Sequence, residues 1–120
     1  MNAIKRRLTP LEARLIAKLI GRLEQVEGVT AIILYGSRAG GFSDEDSDID
    51  IAVITDRYLS HHKLDSMKDE IMAEMGISGE LRAEVFGFTE KEMKHLPIGR
   101  EIEERGILLW KKDLSLQKAL

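Results

Sequence analysis

The sequence predicts an α/β (α+β) fold, a mixed sheet flanked by helices, in one domain over residues 1–120 with its core at about 9–110 and a tail at 111–120. Three observations indicate this fold. Apolar patterns typical of helices and of strands alternate along the chain. The first two strand patterns are joined by a segment too short for a helical crossover, which indicates an antiparallel pair. A helical pattern then crosses over to the third strand, so the sheet should be mixed in direction.

The individual elements have recognisable starts and stops. The first helix is predicted to begin at a capping box formed by Thr9 and Glu12, with Pro10 in its first turn. Its apolar stripe continues at three- and four-residue spacing until Gly28, the predicted stop. The other predicted elements are strands at 29–35 and 48–54, a helix within 59–76, a strand at 81–88, a short helix at 98–105 and a strand at 107–110.

The composition is that of an ordinary globular chain. Hydrophobic residues make up 43% and charged residues 32%, which excludes disorder as the main state. The formal charge of −3 does not favour a polyanion such as DNA, so phosphate chemistry has to be local or metal-assisted. The sequence has no cysteine, which excludes disulfides and cysteine-based metal sites. No segment approaches the roughly 20 apolar residues of a membrane span, and we expect a soluble, cytoplasmic protein.

Two aspartates stand out in the second predicted strand. Asp48 and Asp50 are separated by one apolar residue, so strand alternation places both carboxylates on one face. Such a pair is tolerated at an exposed strand end, or where a cation neutralises it. Without cysteine or a nearby histidine cluster, oxygen ligands favour Mg²⁺ or Mn²⁺ over zinc. The alternative is a pair of solvent-facing aspartates on a half-exposed strand.

Two further features are weaker signals by themselves. Gly36 and Ser37 directly follow the first strand, where backbone amides and a hydroxyl can donate to phosphate oxygens. The same dipeptide also suits an ordinary turn. Glu84 lies alone within an apolar strand, and it needs either a cation or an arginine partner at a sheet edge. We favour the cation.

These features together match a known pattern. The spacing GS-x10-DxD, from Gly36 to Asp50, resembles the signature of the DNA polymerase β-type nucleotidyltransferases. The resemblance extends from about Ala31 to Trp110 through the segments LYGSRAGG, SDIDIAV and LPIGREIEERGILLW. The last segment is similar to the end of the minimal nucleotidyltransferases known as MNT proteins. The resemblance therefore implies a polymerase β-like fold reduced to a single minimal domain.

The resemblance also implies catalytic and binding roles. Two divalent ions, Mg²⁺ or alternatively Mn²⁺, would be held by Asp48 and Asp50. Glu84 would take the place of the third family carboxylate, which is commonly aspartate, and would act as the base. This is the one departure from the family pattern, because the longer side chain shifts the ligand by about one methylene. The triphosphate of ATP would be bound by Gly36 and Ser37, assisted by Arg38 or Ser47.

The implied reaction is transfer of a nucleoside monophosphate, AMP from ATP, to a hydroxyl acceptor. Because the catalytic core fills the 120 residues, we expect the acceptor site to be formed with another chain. The resemblance implies a helical HEPN-type toxin as that partner and an antitoxin role for this protein. From the net charge and the lack of a long apolar segment, we expect no membrane and no direct DNA binding. Two alternatives stay open: a non-catalytic antitoxin that neutralises its toxin sterically, and a small-molecule enzyme of the aminoglycoside-modifying type acting as a homo-oligomer.

Overall fold

A four-stranded sheet forms the centre of the computed structural model, which describes residues 8–36, 48–77 and 81–112. The sheet has the order β3-β2-β1-β4, and β1 is antiparallel to both β2 and β4 while β3 is parallel to β2. The predicted mixed sheet is therefore confirmed. In chain order the strands are β1 (Val29–Tyr35), β2 (Ile49–Thr55), β3 (Ala83–Thr89) and β4 (Ile107–Lys111).

In the part of the chain that the structure describes, four helices pack on this sheet. They are α1 (Pro10–Leu23), α2 (His61–Glu74), α3 (Glu90–His95) and α4 (Pro97–Arg105). The predicted capping box at the start of α1 is confirmed, because the Thr9 hydroxyl accepts from the Glu12 amide at 3.1 Å and the Thr9 amide donates to the Glu12 carboxylate at 2.8 Å. Within the three described ranges, no helix has both the length and the hydropathy needed to cross a bilayer.

Several predicted boundaries are wrong. The helix α1 ends at Leu23 rather than at Gly28, because the Val26 amide turns back to the Leu23 carbonyl at 3.0 Å. Gly28 instead lies in the turn before β1, with a φ of 98°. The sequence prediction also omitted α3, a six-residue helix that begins directly where β3 ends. A capping box between Thr89 and Glu92 marks its start.

The ends of three strands also differ from the prediction. The strand β3 covers Ala83–Thr89 rather than 81–88. The strand β2 begins at Ile49, so Asp48 lies immediately before it rather than inside it. The strand β4 includes Lys111, which the prediction placed in the tail. Residues 113–120 of that tail lie outside the described residues.

The sheet is covered on both faces, which explains the nearly continuous apolar sequence of β1 and β2. One face packs against α1 and α2, and we call it the α1/α2 face. The other packs against α3 and α4, and we call it the α3/α4 face. The buried core of the first face includes Leu15, Leu19, Leu23, Ile32, Leu34, Ile49, Ile51, Val53, Leu64, Ile71 and Val85. The buried core of the second consists of Tyr35, Ala52, Ile54, Met93 and Ile102.

Candidate active site

The candidate active site lies where β1 ends and where β2 and β3 begin. Tyr35 of β1 is paired with Asp50 of β2, and Asp50 is paired in turn with Glu84 of β3. Paired residues on neighbouring strands present their side chains to the same face. Tyr35, Asp50 and Glu84 therefore form a row across the α3/α4 face, with Asp50 in the middle.

Gly36 lies directly against this row. Its φ of 78° is in the left-handed region, which favours glycine. A Cβ atom at this position would lie 2.5 Å from Oδ2 of Asp50, so any other residue would push the carboxylate away. Gly36, which the sequence predicts to approach a phosphate, thus also allows the end of β1 to lie against the side chain of Asp50. We refer to Gly36, Asp48, Asp50 and Glu84 as the acidic end of the sheet.

The carboxylates of the acidic end influence one another. Burial raises the pKa of Asp50 above its ordinary value of 3.8, and the negative charges of Glu84 and Asp48 raise it further. Asp48 and Asp50 are half-buried, whereas Glu84 is exposed. All three predicted catalytic carboxylates are thus brought together by the fold. A cation placed among them would relieve their repulsion.

Tyr35 is a member of the site that sequence reasoning missed. Its side chain is only 9% exposed. Burial raises the pKa of the phenol, and the charges of Asp50, Glu84 and Glu101 raise it further. The phenol therefore stays protonated beside these carboxylates. Its place immediately before Gly36 in the sequence was the only available signal.

The donors present fit a divalent cation bound together with a substrate. Among the described residues, no group of three or more His, Asp or Glu side chains is arranged to hold a metal ion. The acidic end is instead an open, all-oxygen site beside a glycine. Mg²⁺ is commonly bound by one or two carboxylates plus the phosphates of a substrate. Asp48, Asp50 and Glu84 suit that mode of binding better than a closed protein cage.

A cleft of about 430 Å³ opens beside the acidic end, between α2 and the outer edge of β3. Asp48 and Glu84 line it together with the rings of His61 and Phe86, which are stacked with 5.0 Å between their centroids. A larger cleft of about 530 Å³ lies at the other end of the α3/α4 face, between Ile54 and Leu108. It is lined mainly by apolar residues and lysines and by none of the acidic end. The smaller cleft is the one that belongs to the candidate site.

Three predicted nucleotide-binding residues, Ser37, Arg38 and Ser47, lie outside the described residues. They belong to the connection between β1 and β2, whose two ends are Gly36 and Asp48.

Several solved structures share this fold. A protein from Sulfolobus solfataricus assigned as a nucleotidyltransferase aligns over 92% of this chain and 86% of its own, at 19% identity and a TM-score of 0.54. A chain of a toxin–antitoxin complex with AMP-PNP aligns over 88% of this chain and 77% of its own, at 18% identity and a TM-score of 0.59. A chain of the Shewanella oneidensis complex between a tri-AMPylated HEPN toxin and its MNT antitoxin aligns over 88% and 74%, at 16% identity and a TM-score of 0.53.

The sequence itself also identifies the family. No curated protein matches this sequence. The family model described as polymerase beta, nucleotidyltransferase, matches residues 17–115, which include every member of the acidic end. This match confirms the resemblance drawn from the signature. The mixed sheet, the pairing of Asp50 with Glu84 and the fold of the solved structures agree with it. The chain belongs to the polymerase beta nucleotidyltransferase family.

Proposed function

We propose that this protein is a metal-dependent nucleotidyltransferase that moves AMP from ATP to a hydroxyl group on a HEPN-type toxin, and thereby acts as the antitoxin. One observation carries the catalytic part of the proposal. Asp50 is paired with Glu84 on the adjacent strand, and Gly36 lets the end of β1 lie directly against the Asp50 carboxylate. Family membership supports nucleotidyl transfer as the reaction.

In this proposal Asp48, Asp50 and Glu84 would hold two divalent ions, either Mg²⁺ or Mn²⁺. When bound, such ions neutralise phosphate charge and help to ionise the attacking hydroxyl. The acceptor oxygen forms a bond to the α-phosphorus of ATP as the bond to the bridging oxygen breaks and pyrophosphate leaves. Glu84 takes the proton of the acceptor hydroxyl. Asp48 and Asp50 would hold the ion that binds the triphosphate and stabilises the departing pyrophosphate.

The positions of the residues in the sheet support this division of labour. Gly36 directly follows β1, Asp50 lies on the inner strand β2 and Glu84 lies on the edge strand β3, so the proposed site runs from the phosphate-binding turn to the sheet edge. Glu84 is exposed and lines the open cleft, where an acceptor from another molecule can reach it. We therefore place ATP at the Gly36 side and the acceptor at the Glu84 side.

The proposed partner rests on the structural neighbours. Among the solved structures with this fold are toxin–antitoxin complexes, one with AMP-PNP and one with a tri-AMPylated HEPN toxin. These findings concern those proteins, and their likeness to this chain supports a HEPN-type toxin as its acceptor.

Intact-mass spectrometry tests the proposal directly. The protein is incubated with ATP, Mg²⁺ and the HEPN-type product of the neighbouring gene. We expect the partner to gain the mass of AMP, and we expect Asp50→Asn to abolish the gain because it removes a charged oxygen ligand. The matched control is Asp56→Asn, the same change just beyond the opposite end of β2, which should transfer at the wild-type rate.

Two outcomes would replace the proposal with another function. A tight complex without added mass at saturating ATP would identify a steric antitoxin. Nucleotidylation of an aminoglycoside in the absence of any partner would identify a small-molecule enzyme.

A further inference from the structure

The strand that carries Glu84 is an edge strand. On its inner side β3 pairs with β2, and the Ile49 amide donates to the Arg82 carbonyl at 2.9 Å, just before β3 begins. On its outer side the sheet has no further strand within the described residues. Edge strands are held by half as many backbone bonds as central strands. The position of Glu84 therefore depends on what restrains the outer side of β3.

Lys68 of α2 supplies such a restraint. Its Nζ donates to the carbonyl oxygen of Ala83 at 2.9 Å, and the Lys68 side chain is only 12% exposed. The accepting carbonyl belongs to the peptide group that joins Ala83 to Glu84. The bond from Lys68 thus fixes the backbone directly before the carboxylate, on the side opposite to β2.

The lysine has no free hydrogen for another ligand. An ammonium group has three N–H donors. Besides the Ala83 carbonyl, Nζ contacts Oδ1 of Asp65 at 3.0 Å and Oδ1 of Asp69 at 3.2 Å. Burial acts to lower the pKa of Lys68, but these two aspartates hold it above its ordinary value of 10.5. Lys68 lines the cleft, but its ammonium group is already bound to the Ala83 carbonyl and to two aspartates. It therefore holds the backbone of β3 rather than binding a phosphate.

We propose that Lys68 is a positioning residue that acts through Glu84, by holding the Ala83 carbonyl so that the Glu84 carboxylate stays level with Asp50. The inference rests on the proposed function in one respect, which is that Glu84 is a metal ligand. Groups that orient a metal ligand without touching the metal typically change metal affinity by about 10- to 100-fold when they are removed.

A double-mutant cycle measured with Mn²⁺ alone tests this role. Mn²⁺ affinity is obtained by electron paramagnetic resonance titration of the full chain without nucleotide, for wild type, Lys68→Met, Glu84→Gln and the double variant. We expect Lys68→Met to weaken Mn²⁺ binding by about tenfold in the wild-type background. In the Glu84→Gln background the same change should weaken it by less than about twofold, because the ligand that Lys68 positions is already lost.

Three further variants complete the test. Lys68→Arg should restore most of the Mn²⁺ affinity, since a guanidinium can still donate to the Ala83 carbonyl. Lys63→Met, an exposed lysine on the same helix, should leave it unchanged. If circular dichroism shows that Lys68→Met does not fold, Asp65→Asn is used instead. It keeps the ammonium group of Lys68 but weakens one of the contacts that hold it in place. It should then give a smaller loss that is also confined to the wild-type background.

An equal loss from Lys68→Met in both backgrounds would show that Lys68 only supports the fold, and it would overturn the inference. Unchanged Mn²⁺ affinity in Glu84→Gln alone would overturn it as well. Failure of the proposed function is a separate result, because the Mn²⁺ titration needs neither ATP nor a partner. A coupled cycle in a protein that transfers no AMP would uphold the positioning role and reject the reaction.

Discussion

The α1/α2 face of the sheet is apolar from one end to the other, whereas the α3/α4 face is apolar only over part of its length. The difference is visible along β2, where Ile49, Ile51 and Val53 alternate with a second series that begins with Asp50. The first series is buried under two long helices. The second begins at the acidic end and becomes apolar only farther along the strand, under two short helices. The α1/α2 face thus provides most of the buried core, and the α3/α4 face of the same strands carries the candidate active site.

Truncation of a core residue should separate the two faces most clearly. Leu19 is 2% exposed on the α1/α2 face, and Leu19→Ala should lower the free energy of unfolding by about 3 kcal/mol. Ile33→Ala, at a half-buried position on the α3/α4 face, should cost about half as much because less apolar area is lost. Urea unfolding measures both values. A larger loss at Ile33 would contradict the assignment of stability to the α1/α2 face.

A glycine substitution should act on the acidic end. Gly36→Ala forces a side chain into a left-handed conformation against the Asp50 carboxylate, and it should cost about 1–3 kcal/mol while abolishing AMP transfer. Gly21→Ala is the matched control, because Gly21 lies within α1 with no atom within 4 Å of the added methyl group. It should stabilise the protein by about 0.5–1 kcal/mol and leave transfer intact. Thermal unfolding and the transfer assay distinguish the two variants.

The pH dependence of stability should reveal repulsion at the acidic end. Because the pKa of Asp50 is raised above 3.8 in the folded chain, the folded state binds its proton more tightly than the unfolded state. Metal-free protein should therefore lose stability as the pH rises from about 3.8 through the raised pKa, and the loss should be complete above it. Asn cannot ionise, so Asp50→Asn should be more stable than wild type at pH 7.

Urea unfolding at a series of pH values without metal checks this expectation. The advantage of Asp50→Asn should shrink as the pH falls below the ordinary aspartate pKa, since both side chains are then neutral. An advantage that stays constant with pH would mean that burial of charge at Asp50 is not its cause. The Asp56→Asn control should show no such advantage, because its neighbour Arg57 lowers the pKa of Asp56.

The two capping boxes should give the smallest effects, and they again compare the faces. Thr89→Ala removes a hydroxyl that accepts from the Glu92 amide at an exposed helix start, and it should cost about 0.5 kcal/mol. Thr9→Ala removes the same bond at the start of α1, where the bond is part-buried and Glu12 is only 4% exposed, and it should cost about 1 kcal/mol. Equal losses in thermal unfolding would show that burial does not strengthen the cap.

Local signals were sufficient for most of the fold and for the residues of the acidic end. The continuous apolar strands, the capping box at Thr9 and the spacing from Gly36 to Asp50 are all contained in short stretches of chain. The helix α3 was missed because six residues are too few to show helical periodicity. The end of α1 was misplaced because the apolar residue Val26 extends the stripe past the last helical turn.

The contacts made by the site could not be predicted in the same way. The alignment of Tyr35 with Asp50 depends on the register between β1 and β2, which includes a bulge between Val29 and Ala31. A shift by one residue would exchange the faces of every side chain. The bond from Lys68 to Ala83 depends on how α2 crosses the sheet edge, a matter of packing between distant segments.

Thr89 is both the last residue of β3 and the cap of α3, so no linker separates the strand from the helix. The direction of β3 therefore sets the direction of α3, and Glu84 lies five residues before Thr89, where the two elements join. An insertion after Thr89 would break the capping box with Glu92 and change the angle of α3, and through it that of α4, without changing any residue of the acidic end.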